Sequence, residues 1–257
     1  MVRGIIFAGG YGNRLKSSIS QYEPDPELRE IREWATDYDN PKCLLTVNGR
    51  PLLEYSVDVL PTGLDKITVS TLSSQESKVR GVLPRLKRSD IELRVFDQNR
   101  YLDLKDMLST YRDDLMVMHS DTITSAEASK LLLDRFLHGG YDIVTFAYRE
   151  FIENGLVNVD GNAVRNISDK VRYVGLAPVI FGFTPATIRG IDSLFSRTTE
   201  DVGIQGETSI IREIIREIIR EGGVVGYELM PENAFNIDTI EVFLSALHFM
   251  QMAGDTR

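Results

Sequence analysis

Cysteine is almost absent from this chain: Cys43 is the only one in 257 residues. That excludes an intramolecular disulfide and any zinc cluster built from thiolates, and it fits a reducing compartment. Long apolar runs are lacking as well. No stretch approaches the ~18 apolar residues that span a bilayer. The run Ile5–Ala8 passes straight into glycines, too short for the apolar region of a secretory signal. A cytoplasmic protein with no membrane partner is expected. Basic runs are missing too: 38 acidic residues stand against 29 basic ones, for a net charge of −9. Without a Lys/Arg-rich stripe to track phosphates, nucleic acid is not an expected partner. A small anionic ligand remains compatible with an acidic surface, because local backbone amides and a few cations can hold it. Histidine is scarce, and His119, His138 and His248 show no metal-ligand spacing. No Ser/His/Asp or Cys/His arrangement is recognisable.

What is present is an ordinary globular composition, 42% hydrophobic and 26% charged, in a chain long enough to bury a core without staples. Short β-branched runs alternate with helical patterns. Gly4–Ala8, Lys66–Thr71, Leu93–Phe96, Leu115–His119, Asp142–Tyr148, Tyr173–Phe183 and Val224–Leu229 read as strands. Leu52–Leu60, Glu76–Leu86, Ser125–Leu137, Pro185–Leu194, Ser209–Glu221 and Ile240–Met250 read as helices. The alternation predicts an α/β fold, a Rossmann-like and mostly parallel mixed sheet with helices on both faces. Such sheets bind ligands outside the carboxyl ends of their strands. No proline- or serine-rich linker divides the chain, so residues 1–257 are expected to form one domain.

Two stretches stand apart. Lys16–Asn40 has few large apolar residues, many charges, and Pro24 and Pro26. A short helix is expected from Pro26 to Ala35, and the segment reads either as a flap over the site or as a solvated insertion. Ile210–Glu221 repeats Ile-Ile-Arg-Glu three times. Its period of four gives two adjacent isoleucine stripes, with Glu213–Arg216 and Glu217–Arg220 as i,i+3 ion pairs. The block reads as a helix packed on the sheet, with a contact between two copies of the chain as the alternative.

Chemistry is concentrated in four places. The first is Ala8-Gly9-Gly10-Tyr11-Gly12-Asn13-Arg14-Leu15, directly after the first strand. Glycines let a backbone turn with positive φ and bring its N–H groups against phosphate oxygens. Arg14 adds a planar charged fork suited to a polyphosphate. The dinucleotide fingerprint fails, because Leu15 stands where its third glycine belongs, and no Walker-type Gly-Lys-Ser/Thr follows. The second is Asn40-Pro41-Lys42-Cys43-Leu44-Leu45 followed by Asn48-Gly49-Arg50-Pro51-Leu52-Leu53-Glu54-Tyr55. The third is His119-Ser120-Asp121-Thr122 at the end of an apolar strand, where a hard carboxylate oxygen suits Mg²⁺. The fourth is Phe235-Asn236-Ile237-Asp238-Thr239 before a helix, where Asp238 is either a second metal ligand or a plain helix N-cap.

The pairing of Ala-Gly-Gly-x-Gly-x-Arg-Leu with Pro-Lys-x-Leu and Gly-x-Pro-Leu-Leu-Glu-Tyr resembles the nucleotidyltransferases that make nucleotide sugars and related activated alcohols. The resemblance implies transfer of a nucleoside monophosphate from a triphosphate to a phosphorylated small molecule, with release of pyrophosphate. It implies that Gly9, Gly10 and Gly12, with Ala8 and Asn13, cradle the triphosphate and that Arg14 holds it. Lys42 would neutralise charge near the phosphoryl group under attack, and Asp121 and Asp238 would bind Mg²⁺. Lys170, in Ser168-Asp169-Lys170, would grip the acceptor's phosphate. Gln98-x-x-Tyr101, Asp106-x-x-Ser109 and Tyr148-Arg149-Glu150 look like the bacterial phosphocholine cytidylyltransferase branch. That places Gln98 at the base and Tyr148 at the acceptor, and it favours CTP over UTP or dTTP. Gln98 alternatively resembles the glutamine with which sugar-specific members read uracil or thymine.

Departures from the pattern are Asn13 for the usual threonine, the extra length between Leu15 and Asn40, and Asp106 for the choline branch's asparagine. A non-catalytic regulatory relative would be expected to lose the lysine or the aspartates, and all three are here. A glycosyltransferase would want an Asp-x-Asp motif at a strand end, which His119-Ser120-Asp121 does not provide.

Overall fold

The computed structural model describes residues 2–22, 28–37, 39–97, 100–111, 113–168, 178–196 and 207–252. The chain opens with β1 (Val2–Phe7), then α1 (Asn13–Gln21) and α2 (Arg29–Thr36). A tight hairpin follows, β2 (Thr46–Val47) and β3 (Arg50–Pro51), leading into α3 (Leu52–Asp58). Asn48 and Gly49 both take positive φ, 50° and 74°, as a two-residue Asn-Gly hairpin turn requires. Next come β4 (Ile67–Leu72), α4 (Glu76–Val82), β5 (Ile91–Phe96), α5 (Arg100–Thr110) and β6 (Asp114–His119). The second half runs through β7 (Thr122–Ile123), α6 (Ala126–Gly139), β8 (Ile143–Ala147) and α7 (Arg149–Glu153). After the pair β9 (Val157–Asp160) and β10 (Ala163–Ile167) come β11 (Val179–Phe181), α8 (Pro185–Phe195) and α9 (Glu207–Arg220). The described chain finishes with β12 (Val225–Leu229), β13 (Phe235–Asn236) and α10 (Ile240–Met252).

Local chemistry sets the helix ends. Ser125 accepts a hydrogen bond from the Ala128 N–H at 3.1 Å and starts α6, which stops at Gly140 in the left-handed region, the usual cap and terminator pair. Thr184 caps α8 through the Thr187 N–H at 3.2 Å, with Pro185 in the first turn, where a missing N–H costs nothing. The helix expected over Glu76–Leu86 stops at Val82, and a 3-10 turn over Leu83–Arg85 finishes it, because Pro84 cannot continue the α-helical hydrogen bonding.

Among the described residues nine strands form the main sheet, in the order β5-β4-β1-β6-β11-β8-β12-β10-β9. β11 and β10 run against the other seven, so the sheet is mixed and mostly parallel, as the alternation predicted. Side chains alternate between its faces. Ile5, Leu115, Val117 and Ile143 join the core beneath α8 and α9, while Ile6, Met116, Met118, Val144 and Phe146 pack toward the α3 and α6 side. The isoleucine block behaves as a core helix: Ile211, Ile214, Ile215 and Ile218 are buried in the first of these clusters. Both expected ion pairs form, Arg216 to Glu213 at 2.7 Å and Arg220 to Glu217 at 2.5 Å. A third cluster lies outside the sheet and joins Leu15 and Ile19 of α1 to Leu28, Ile31 and Trp34, and to Ile240, Phe243 and Ala246 of α10. The stretch from Lys16 to Asn40 is thus built into the core through α1 and α2. Residues 23–27 and 38, Pro24 and Pro26 among them, lie outside the described residues. No described helix is long and apolar enough to cross a membrane.

The strand order reverses beside β1. From β1 the chain moves outward to β4 and β5, then returns to lay β6 on β1's other side. Such a switch point leaves a crevice at the strands' carboxyl ends. Register closes it tightly, since Phe7 stands opposite both Ser70 and His119.

Candidate active site

The glycine-rich turn leaves β1 into that crevice. The Ala8 N–H donates to the Ser70 carbonyl at 2.7 Å, and the Ser120 N–H donates to the Phe7 carbonyl at 3.1 Å. Gly12 ends the turn in the left-handed region with φ 68°. A Cβ there would lie 3.0 Å from Trp34 Cη2 and 3.3 Å from Lys42 Cβ and Cγ, so both conformation and space require glycine. The turn feeds the N-terminus of α1, whose first turn has neither a side-chain cap nor an acidic residue. Backbone N–H groups left in this way attract an anion. Asn13 begins α1 and also lines a cleft of about 650 Å³ with Lys16, Ser17, Ser20, Arg32 and Thr36.

Lys42 reaches the same crevice from the chain's next loop. Its backbone N–H donates to the Gly10 carbonyl at 2.6 Å, locking the lysine turn to the glycine turn. Its Nζ donates to Asp121 Oδ2 at 2.7 Å and to Asp238 Oδ1 at 2.8 Å. Asp121 and Asp238 are 117 positions apart, and the β7–β13 pairing brings them together. Phe235 stands opposite Ile123, Asn236 opposite Thr122, and the Ile237 N–H donates to the Asp121 carbonyl at 2.9 Å. Arg14 Nη2 lies 3.3 Å from Asp238 Oδ2, and Asn236 Nδ2 donates to that oxygen at 3.2 Å. The N-terminus of α10 is met elsewhere: the Ile240 N–H donates to Ser18 Oγ at 3.0 Å. The described contacts of the Asp238 carboxylate are therefore with the cluster rather than with the helix it precedes.

Electrostatics hold Lys42 and Asp121 charged. Burial opposes the Lys42 charge, but Asp121 and Asp238 outweigh it and raise the ammonium above its ordinary value. Burial likewise opposes the Asp121 charge, and Lys42 and His119 overcome it, holding the carboxyl below the usual carboxylate range. Among the described residues Asp121 Oδ1 is buried with no hydrogen-bond partner. Tyr148 directly follows β8 and precedes α7. Burial, with the charges of Asp238, Glu150 and Asp121, pushes its hydroxyl up.

Of the residues singled out in the sequence, Gly9, Gly10, Gly12, Arg14, Lys42, Asp121, Asp238 and Tyr148 converge here. Gln98 and Lys170 lie outside the described residues. Asp106 is paired with Arg94, which also donates to the buried Asp103 at 2.8 Å while Ser70 donates to Asp103 at 2.6 Å. The motif after Lys42 divides in two: Leu52, Leu53 and Tyr55 are buried packing residues, and the Tyr55 hydroxyl donates to the Val47 carbonyl at 2.9 Å. Cys43 is fully buried in the core. Three participants carried no sequence signal of their own: Asn236 beside Asp238, and Trp34 and Lys16 behind the glycine turn.

No family model matches the chain, and no curated protein matches it by sequence. Solved structures do. A Bacillus anthracis protein assigned as a glucose-1-phosphate thymidylyltransferase, in complex with sucrose, aligns over 97% of this chain and 95% of its own. The TM-score is 0.68 at 16% identity. The 4-diphosphocytidyl-2C-methyl-D-erythritol synthase of Anaerococcus prevotii aligns over 98% and 96%, with TM-score 0.62 and 14% identity. The chain shares the fold of these two proteins. The crevice described above is the part of that fold on which a function must be argued.

Proposed function

We propose that this chain transfers a nucleoside monophosphate from a nucleoside triphosphate to the phosphate of a sugar or alcohol phosphate, releasing pyrophosphate. The observation that carries the reading is Lys42 Nζ held at 2.7 and 2.8 Å between two carboxylates, on a turn bonded to the glycine loop. A bare structural ion pair would not need a glycine-cradled helix N-terminus and an arginine beside it. The fold shared with a protein assigned as a thymidylyltransferase and with a diphosphocytidyl-methylerythritol synthase supports the same reaction class.

In this reaction an oxygen of the acceptor's phosphate attacks the α-phosphorus. The new P–O bond forms as the bond to the bridging α–β oxygen breaks, and pyrophosphate leaves with the electron pair. No covalent enzyme intermediate is needed, so the protein positions the reactants and stabilises charge. The Gly9–Gly12 amides and the α1 N-terminus bind the triphosphate, and Arg14 braces it. Lys42 neutralises the charge that grows on the equatorial oxygens. Tyr148 contacts the acceptor. CTP is the proposed donor, on the Gln98–Ser109 spacing, and Lys170 is proposed to hold the acceptor's phosphate.

Magnesium fits the donor set. Two hard carboxylates face one crevice, and a buried Asp121 oxygen has no hydrogen-bond partner among the described residues. Among the described residues no cluster of three or more metal-ligating side chains occurs. That suits an ion which takes one or two carboxylates and completes its shell with phosphates and water. Held by Asp121 and Asp238, the ion would neutralise phosphate charge during displacement.

The test is pyrophosphate release with Mg²⁺ for CTP, UTP, dTTP, GTP and ATP, each crossed with sugar 1-phosphates, phosphocholine, glycerol phosphate and inositol phosphate. Release from one pair that is lost in Asp121→Ala is expected. Silence across the panel refutes the reading.

A further inference from the structure

The α2 helix belongs to a stretch to which the proposed reaction assigns no task, yet its Trp34 touches both halves of the catalytic turn. The indole is 8% exposed. Its Nε1–H donates to the Pro41 carbonyl at 3.3 Å, one residue before Lys42. Its Cη2 lies 3.0 Å from where a Cβ on Gly12 would fall, beside the same point that the Lys42 stem approaches at 3.3 Å. Lys16 lies over the ring, its Nζ 4.9 Å from the centroid, and donates to the carbonyls of Asp37 at 3.0 Å and Asn40 at 3.2 Å. Asn40 closes the circuit by donating to the Trp34 carbonyl at 3.4 Å, while Lys78 grips the side chains of Asn40 and Asp37 at 2.9 and 2.8 Å. The loop that delivers Lys42 is thus fixed at each end by groups organised around one ring.

A lysine ammonium rides on four flexible methylenes and is only as well placed as its stem. Here the stem is confined between Gly12 and the loop that Trp34 braces. We propose that Trp34 is a positioning residue that sets Lys42 against the glycine loop, and this rests on the transfer reaction proposed above. Because Trp34 is the only tryptophan in the chain, its emission reports directly on that contact.

The test combines kinetics with fluorescence. Trp34→Phe, Lys42→Met and the double variant are assayed on the substrate pair that the pyrophosphate screen selects, each with its thermal midpoint. Trp34→Phe is expected to lower kcat about tenfold or more, the scale of a sub-ångström misplacement, with KM for the triphosphate within about threefold. In the Lys42→Met background it should cost nothing further, because its effect passes through Lys42. Full kcat in a folded Trp34→Phe enzyme, or an equal loss in both backgrounds, overturns the proposal. Wild-type enzyme silent in the screen refutes the proposed reaction instead, and the positioning claim is then decided by emission. Titration with CTP, UTP, dTTP, GTP or ATP in Mg²⁺ should shift or quench Trp34 emission, and emission unmoved by all five overturns it.

Discussion

Replacing Lys42 by methionine keeps a stem of similar volume against Gly12 and removes one charge. Two carboxylates then face each other without the ammonium that lies 2.7 and 2.8 Å from them. Lys42 is 6% exposed and its partners 19% and 20%, so water screens the loss poorly. Breaking a buried pair by removing one member costs about 3–5 kcal/mol, chiefly through the charge left behind. For a chain of this size that is a fall of roughly 6–20 °C in thermal midpoint at pH 7. The sign of the pH dependence separates this from ordinary loss of packing. In the wild type the Asp121 carboxyl is depressed, against its burial, by Lys42 and His119. Its stabilising contribution is present above the unfolded carboxylate value and is lost as pH falls through the folded one. In the variant the same burial acts with the Lys42 opposition gone, and a second carboxylate is close by. The folded value then moves upward, so the deficit is largest at neutral pH and narrows as Asp121 takes up a proton. Magnesium should stabilise the variant as well, by about 2.7 kcal/mol at a concentration one hundred times its dissociation constant. The assay is urea unfolding of wild type and variant at several pH values between 4 and 8, with and without Mg²⁺. A variant within about 1 kcal/mol of wild type at every pH, unmoved by Mg²⁺, would show that the two carboxylates do not depend on Lys42, and the site as described would fall with it.

Other perturbations follow from the same geometry. Asp121→Asn should reduce turnover by about 10²-fold or more, on the scale of a lost transition-state contact, and weaken the activity's dependence on Mg²⁺; unchanged turnover across a Mg²⁺ titration refutes the metal assignment. Gly12→Ala forces a side chain into φ 68° and onto Trp34 and Lys42, so it should cost at least about 1–2 kcal/mol by chemical unfolding and depress kcat; a stable, active variant refutes the tight turn. Tyr148→Phe should raise KM for the acceptor by roughly 3–10-fold, one hydrogen bond's worth, while KM for the triphosphate holds; the reverse split would move Tyr148 to the nucleotide side. Asp103→Ala strips buried partners from Ser70 and Arg94 and should destabilise by about 3 kcal/mol, whereas Asp106→Ala at the exposed end of the same network should cost under about 1 kcal/mol; equal losses refute this ranking.

How much of this was legible in the sequence depended on whether a residue's task repeats. The parallel part of the sheet showed itself because β1, β4, β6 and β8 each carry β-branched or large apolar residues in a row, while β5 and β12 alternate apolar residues with others. The amphipathic α9 showed itself because its isoleucines recur every fourth position. The hairpin of β9 and β10 was missed because Val157, Val159, Val164 and Ile167 are spaced by polar residues and bury one face only. The start of helix α1 carried no signal: its first turn lacks the cap and acidic residues that announce a helix, the same groups that the proposed anion-binding N-terminus would leave out.

The site divides along the same line. Gly9, Gly12, Lys42 and Asp121 sit in short motifs whose chemistry can be stated from residue type. The meeting of Asp121 with Asp238 could not be derived that way, because it depends on two-residue strands, β7 and β13, too short to have a period. Trp34 is harder still. In the sequence it is one aromatic in a charged stretch, and only the distance from its ring to the vacant Cβ position of Gly12 gives it a role. Glycine at position 12 is thus required twice, once by the turn and once by the tryptophan that fills the space beside it. The extra chain between the loop and the lysine is where that tryptophan comes from. An insertion of this kind need not cover a site in order to serve it; packed from behind, it fixes the two turns whose relative position the chemistry depends on.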